Sequence, residues 1–393
     1  MKVLLLTHEY PPFIFGGVGS FAKELANGLA RLGVNVTVVS GFPVLDPRKK
    51  ITQEHEDGIT VYRLPYPNIQ PRHTMFQLAN LKRLTSIVDE VSPNVIHGQS
   101  AASFPALLNL KKGAPFLVTF HTSPLMEKIT SIQSISRGGS LADFRVFAVG
   151  YPVWSFTFKE ELKHSDCSVA VSNTLRTELL REMGEQFIEK IQVIHNGVNL
   201  EALDREYKGR NGKFCEKSDK LILFAGRFFW RKGVLSLIKL ASLLQKKDPE
   251  YRIIMHGTGP LFSKVQMRIQ SLRLPNVELK GFTTRAELVQ SMRRCKFVVI
   301  PSFYEACPIA LIEAMCLGKI PLMFNLPFSS ELTDGGRFGI IADDVTDMVR
   351  KLTAFGEKDQ LDSFGNEISV FARDTFDMNE SARKYLDLYR ELS

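Results

Sequence analysis

The chain has 393 residues, 44% of them hydrophobic and 23% charged, which is too long for one ordinary core and well composed for two globular domains. A net charge of +8 favours anionic partners such as phosphorylated ligands or acidic headgroups. The basic residues are scattered in short clusters without a nucleic-acid-binding motif, so no nucleic-acid partner is expected.

The run from Met1 to Leu6 ends at Thr7-His8-Glu9 after a strand's length, so it reads as a strand and not as a signal peptide. No apolar stretch is long enough to span a bilayer. The five cysteines, Cys167, Cys215, Cys295, Cys307 and Cys316, form no CxxC pair and suggest no disulfide framework. A reducing, cytoplasmic setting is expected, with peripheral contact at the inner membrane face left open.

In chain order, the first half alternates strand and helix signals. Strands are expected at Val3–Thr7, Val34–Ser40, Val61–Leu64, Val95–His97, Phe116–His121, Val169–Ser172 and Gln192–Ile194, with helices from about Phe21 to Leu32 and Phe76 to Val91. This is the pattern of a doubly wound parallel sheet. Gly16-Gly17-Val18-Gly19 precedes the first helix, and Gly17 to Ala22 satisfies G-x-G-x-x-A. A dinucleotide is disfavoured, because His8 to Phe15 separate the glycines from the strand and the second strand ends at Ser40 without an acidic residue for a ribose. A loop whose backbone amides are free to approach a diphosphate fits better. His121 ends an apolar strand. From Phe144 to Phe158 the aromatics Phe144, Phe147, Tyr151, Trp154, Phe156 and Phe158 crowd together, as a buried helix or as a membrane- or lipid-contacting surface.

The polar segment Glu206–Lys213 reads as a linker. The domains expected are 1–200, a linker over 201–218, 219–378, and a C-terminal helix over 379–393. The second half repeats the plan, with strands at Leu221–Ala225, Arg252–His256, Val277–Lys280, Phe297–Ile300 and Ile320–Phe324, and a helix from about Leu235 to Gln245. Arg227 and Lys232 follow its first strand, where two cations can neutralise a diphosphate. Gly257 lies in a turn ending the next strand. Phe297–Ile300 leads into a loop carrying Glu305, and Pro308 suits the first turn of a helix that holds Glu313. Strand, loop and helix N-terminus together make a place for a phosphorylated ligand.

Glu305 and Glu313, with seven residues between them, resemble the E-x7-E signature of the retaining, nucleotide-sugar-dependent glycosyltransferases of family 4. Four further segments occur in that family's order: Gly16–Gly19, Val118–His121, Val193–Asn199, and Phe224–Arg227 followed by Lys232-Gly233. The resemblance implies an α/β protein of the GT-B fold, two Rossmann-like domains facing each other across a cleft, with the C-terminal helix packed back on the first domain. It implies a retaining glycosyltransferase that moves a sugar from a UDP- or GDP-sugar to a hydroxyl of a glycan, lipid-linked or small-molecule acceptor. Arg227 and Lys232 would then stabilise the departing diphosphate, making a metal cofactor unnecessary. The glycines Gly16, Gly17 and Gly19 would face the donor phosphates. Gly257, Pro308 and Ile309 would line the nucleotide, and Glu313 would bind the ribose. Glu305 and His121 would face the donor sugar. Thr122 and Ala306 depart from the family's common Asp and Gly. A sugar-nucleotide epimerase or phosphorylase of the same fold, or an inactive glycan-binding subunit, are the alternatives.

Overall fold

The computed structural model describes residues 1–14, 16–44, 51–69, 72–100, 103–104, 106–110, 114–140, 148, 150–208, 218–356 and 360–393. The chain divides into two compact units: Met1–Met126, Ala148–Asn199 and Phe376–Ser393 form the first, and Glu127–Phe147 with Leu200–Thr375 the second.

The first unit is built on an eight-stranded sheet. Its strands are β1 (Lys2–Thr7), β2 (Asn35–Val44), β3 (Thr52–Glu56), β4 (Ile59–Pro67), β5 (Val95–Gln99), β6 (Phe116–Phe120), β7 (Cys167–Ala170) and β8 (Ile191–Val193). They lie in the order β3-β4-β2-β1-β5-β6-β7-β8, and every pairing is parallel except β3 with β4. The near-continuous apolar runs of β1 and β6 are buried, as strands covered on both faces must be, and β5 beside them buries the polar His97 and Gln99 as well. The helix Gly17–Arg31 buries Phe21, Ala22, Leu25, Ala26 and Leu29, one face at helical spacing.

β3 has no counterpart among the expected strands. Its sequence Thr-Gln-Glu-His-Glu is polar and wholly exposed, so it lacks the alternation that marks a strand. A tight turn holds it to β4, with Asp57 at φ 51° and Gly58 at φ 79°, the Asp-Gly pair that a type I′ hairpin requires.

The second unit has six parallel strands: β9 (Ser218–Ala225), β10 (Arg252–His256), β11 (Val277–Gly281), β12 (Cys295–Ile300), β13 (Ile320–Phe324) and β14 (Ile340–Ala342), in the order β11-β10-β9-β12-β13-β14. Leu200–Lys208 is a helix, where an aperiodic linker is expected from residue 201. Ion pairs of Asp204 with Arg373 and of Glu206 with Arg285 tie it to this unit. The remainder of the expected linker, residues 209–217, lies outside the described residues.

The chain re-enters the first unit at Phe376. Val198 donates its N–H to the Phe376 carbonyl at 2.9 Å, and Met378 donates to the Val198 carbonyl at 3.0 Å. A Cβ on Gly197 would lie 2.6 Å from the Met378 Cα, so only glycine admits this backbone approach. The Asn196-Gly197-Val198 segment is thus a docking seam for the C-terminal helix Met378–Leu392, which buries Ala382, Tyr385 and Tyr389 on one face.

Of the aromatic stretch, Phe144 and Phe147 lie outside the described residues. Phe158 is buried, Trp154 donates its indole N–H to His73 Nε2 at 2.8 Å, and Phe156 is 58% exposed. Among the described residues no helix is long and apolar enough to cross a membrane.

The first unit holds neutral histidines, His73 and His97 buried and His8 and His121 half-buried. Burial lowers His8, and it pushes His73, His97 and His121 down to about 3 from an ordinary value of 6.5. Each folded-state value lies below the unfolded one, so the unfolded chain binds more protons in the window between them. The stability these rings contribute is complete above about pH 6.5 and is lost progressively as pH drops toward 3. Urea unfolding at pH 7.5 and pH 5 should show a clearly lower midpoint in the more acidic buffer; equal midpoints would contradict this account.

Candidate active site

In an open parallel sheet, loops leave the carboxyl ends of the strands to opposite faces where the strand order reverses, and the crevice there admits a ligand. In the second unit that point lies between β9 and β12, and Arg227, Lys232 and Glu305 all lie in the loops that follow these two strands. The loop after β9 is stitched to the turn after β10: Gly226 donates to the His256 carbonyl at 3.1 Å and Phe228 to the Thr258 carbonyl at 2.8 Å. Gly257, at φ 131°, would place a Cβ 1.9 Å from the Gly226 carbonyl oxygen. Its lack of a side chain therefore lets the backbone beside Arg227 take its path. Arg227 itself is exposed, with its guanidinium over the Phe229 ring at 5.2 Å.

Trp230–Lys232 forms a single tight helical turn, and Gly233 at φ 67° begins the helix Val234–Lys247. A Cβ on Gly233 would meet the Pro301 carbonyl oxygen at 1.8 Å, so glycine is what lets the two switch-point loops touch. Phe303 donates its N–H to the Arg231 carbonyl at 2.8 Å, and its ring stacks on Trp230 with centroids 4.4 Å apart. That contact brings Lys232 Nζ to 2.5 Å from Glu305 Oε1, the oxygen that also accepts the Ser302 hydroxyl at 2.7 Å.

Burial lowers the Lys232 ammonium, against the opposing attraction of Glu305 and with the repulsion of Arg231 and Arg227 added. For Glu305, burial pushes the carboxyl up, but Lys232 and Arg231 together pull it below the ordinary value, so it is held ionised. Arg231 is fixed in turn by the Tyr304 carbonyl at 3.3 Å and by Glu127 at 3.5 Å. The result is a concentration of three cations, two of them beside one buried carboxylate, at the mouth of a helix.

That helix is Ile309–Cys316, opened by Pro308, whose φ of −72° and ψ of 114° place it just before the first turn instead of within it. Glu313 projects from it into a two-pronged contact with Arg285, Nη1 to Oε2 at 2.9 Å and Nη2 to Oε1 at 2.8 Å. A carboxylate offers about four acceptor positions, so this clasp orients Glu313 and leaves acceptor capacity for two hydroxyls. Arg285 starts the helix Arg285–Arg294, whose Thr284 and Glu287 make a reciprocal cap.

In the first unit the strand order reverses between β1 and β5. Gly16 caps the helix Gly17–Arg31, and its amide is engaged, donating to Glu9 Oε2 at 2.8 Å. The expectation of free amides is thus modified: a buried carboxylate already occupies this helix N-terminus. Gly19 lies where a Cβ would be 3.2 Å from Glu9 Cγ. His121 follows β6, stands edge-on to Phe21 at 4.8 Å, and hydrogen-bonds through Nε2 to Gln99 Oε1 at 2.7 Å.

The structure therefore gathers Arg227, Lys232, Gly257, Glu305, Pro308, Ile309 and Glu313 in the second unit and Gly16, Gly17, Gly19 and His121 in the first. Sequence reasoning missed Arg231, Ser302, Arg285 and Gln99. Arg231 and Ser302 adjoin the quoted motifs, whereas nothing in the local pattern marks Arg285 or Gln99. Among the described residues no group of three or more His, Cys, Asp or Glu side chains is gathered to hold a metal ion.

The family model described as Glycosyltransferase Family 4 matches residues 15–202, and the one described as Glycosyl transferases group 1 matches residues 208–364. An uncharacterized glycosyltransferase of Methanocaldococcus jannaschii is 26% identical over 333 residues, 81% of this chain and 79% of the relative. Among solved structures, a sucrose-phosphate synthase from Thermosynechococcus elongatus superposes with a TM-score of 0.79 at 17% identity, covering 100% of this chain and 98% of that one. HepE of Anabaena, solved in complex with UDP and glucose, gives a TM-score of 0.68 at 18% identity and covers 100% of both chains.

Breaking a buried ion pair on one side strands the other charge. Glu305→Leu should cost about 3 kcal/mol of stability at pH 7, and the double variant Lys232→Met/Glu305→Leu should recover most of it. Denaturant titration of the three proteins checks this, and a single variant as stable as the parent would contradict it.

Proposed function

The chain belongs to glycosyltransferase family 4, a group 1 glycosyltransferase with the GT-B fold, and from that premise we propose that it transfers a sugar, with retention at the anomeric carbon, from a nucleoside diphosphate donor to an acceptor hydroxyl. The observation that carries this reading is the buried Lys232–Glu305 pair at the switch point of the second sheet, in the loop that leads into the helix carrying Glu313. A bond from an anomeric carbon to a diphosphate breaks with the electron pair leaving on phosphate. Fixed cations at that oxygen lower the barrier because they are stronger partners for the leaving group than for the intact donor.

In this reading, residues 219–378 bind the donor and the first domain presents the acceptor. Arg227 and Lys232 face the diphosphate, with Gly17, Gly19 and Ile309 offering backbone amides, Gly16 and Pro308 shaping the chain just before those two helices, and Gly257 shaping the loop near the nucleotide. Glu313, held by Arg285, accepts the ribose hydroxyls. The acceptor oxygen attacks the anomeric carbon from the face the diphosphate leaves, the departing phosphate oxygen takes its proton, and Glu305 and His121 contact the sugar. UDP is the favoured nucleotide because HepE of Anabaena binds it. The acceptor is a hydroxyl of a glycan, lipid-linked sugar or small molecule. Two cations at the leaving group make a divalent metal dispensable, so transfer should persist in a chelator.

Glu305 and Glu313 should fail differently. Glu305→Gln removes charge beside the reacting sugar and should mainly lower kcat, by about 2 to 4 kcal/mol of transition-state stabilisation, whereas Glu313→Gln should mainly raise the donor's KM. Initial rates with varied UDP-sugar and saturating acceptor test this, with the product anomer read by proton NMR. Intact kcat in Glu305→Gln, or an inverted product, would overturn the reading; an isomerised donor formed without acceptor would point to an epimerase instead.

A further inference from the structure

Behind His121 the first unit buries a chain of hydrogen-bonding side chains that the reaction scheme does not use. His97 lies on β5 with no exposed surface. Its Nδ1 is 2.6 Å from the Tyr389 hydroxyl and its Nε2 is 2.7 Å from the Thr119 hydroxyl, which is itself 3.0 Å from the Tyr385 hydroxyl. Gln99, two residues further along β5 and fully buried, spans the space between the two histidines: its Nε2 is 3.3 Å from His97 Nε2, and its Oε1 is 2.7 Å from His121 Nε2. Both tyrosines come from the C-terminal helix Met378–Leu392.

With the Gln99 amide placed so that its Nε2 faces His97 and its Oε1 faces His121, donor and acceptor counting assigns the protons along this chain. An amide oxygen only accepts, so His121 donates from Nε2–H to Gln99. The Gln99 amide N–H only donates, so His97 Nε2 is an acceptor, receiving it together with the Thr119 O–H. His97 therefore carries its proton on Nδ1 and donates it to Tyr389, while Tyr385 donates to Thr119. Every group is neutral, as burial demands of a network without a charged member.

We propose that Gln99 is a positioning residue that holds His121 as the neutral Nε2–H tautomer, so that Nδ1 is the atom His121 offers to the sugar, as a hydrogen-bond acceptor from a hydroxyl. The proposal rests on the reading of His121 as a sugar contact, but the tautomer can be observed without any substrate. Among the described residues, the titratable groups linked to His121 by this chain are His97 behind Gln99 and, beyond it, Tyr385 and Tyr389 on the C-terminal helix. The neighbours directly against it, Phe21 from the helix Gly17–Arg31 and Ser100 after β5, carry no charge. An imidazole held in this way cannot act as a general acid; it can only accept and orient.

The test is long-range proton–nitrogen NMR of the histidine side chains in full-length protein, with His121 assigned by its absence in His121→Ala. The proposal expects the Nε2–H pattern at His121 in the parent from pH 8 to pH 5. Gln99→Leu should lose that pattern to a mixture of tautomers, and the donor's kcat should fall about tenfold, the size of one lost hydrogen bond. Gln99→Glu places a carboxylate against both rings, so it should make imidazolium appear at His121 or His97 as pH falls through the neutral range and give the rate a new acidic limb. An Nδ1–H pattern in the parent, an imidazolium at pH 7, or an unchanged His121 pattern in Gln99→Leu would overturn the proposal. If the tautomer is as stated and His121→Ala transfers sugar at the parent rate, the positioning stands and the sugar contact fails.

Discussion

The second unit is organised around one ionised pair withdrawn from water. Lys232 and Glu305 belong to loops far apart in the chain, and each carries a desolvation cost that the other helps to offset. Glu305 stays ionised because Lys232 and Arg231 together outweigh its burial, and Lys232 is placed by a turn that closes against the carbonyl of Pro301 at a glycine. Each of these features serves to fix a cation where two loops meet. A structural ion pair of this kind is a poor source of stability and a good source of position. That is the property a leaving-group site requires, because charge developing on a departing phosphate is stabilised most by dipoles and charges that need not reorganise.

The same logic explains where the other residues fall. Both sheets reverse strand order beside their first strand, and the loops that leave the carboxyl ends at those points carry the glycine turn of the first unit and the cations of the second. Gly197 and Gly233 act in the same way in different units, each admitting a backbone that any side chain would exclude. One seats the C-terminal helix, the other the loop that carries Lys232. The C-terminal helix then does more than cover the sheet, since its two tyrosines end the hydrogen-bond chain that reaches His121 through Gln99.

Much of this was legible beforehand, for identifiable reasons. Buried parallel strands announce themselves as apolar runs, so β1, β9, β10 and β13 appear in the sequence within a few residues of their bounds, and the family 4 motifs place Lys232 and Glu305 at strand ends. β3 was hidden because an exposed edge strand needs no apolar face, and its one signal was the Asp57-Gly58 turn. The helix Leu200–Lys208 was hidden because its polar composition reads as linker, and the contacts that seat it, the burial of Leu203 and the ion pairs with Arg285 and Arg373, appear only on folding. Arg285 and Gln99 were invisible for a related reason: the site residue each one orients, Glu313 or His121, becomes its neighbour only on folding. The amide of Gly16 was expected to be free, and its capture by Glu9 follows from a loop path that no spacing rule encodes.

The central claim is that the cations of the second unit receive the diphosphate of the donor. Calorimetric titration of UDP into the parent and into Lys232→Ala, with the fold of each verified by circular dichroism, tests it most directly. Binding by the parent and a loss of at least tenfold in affinity in the variant is the predicted result, on the order of one charge-assisted contact to phosphate. Equal affinity for UDP in the two proteins would contradict the account.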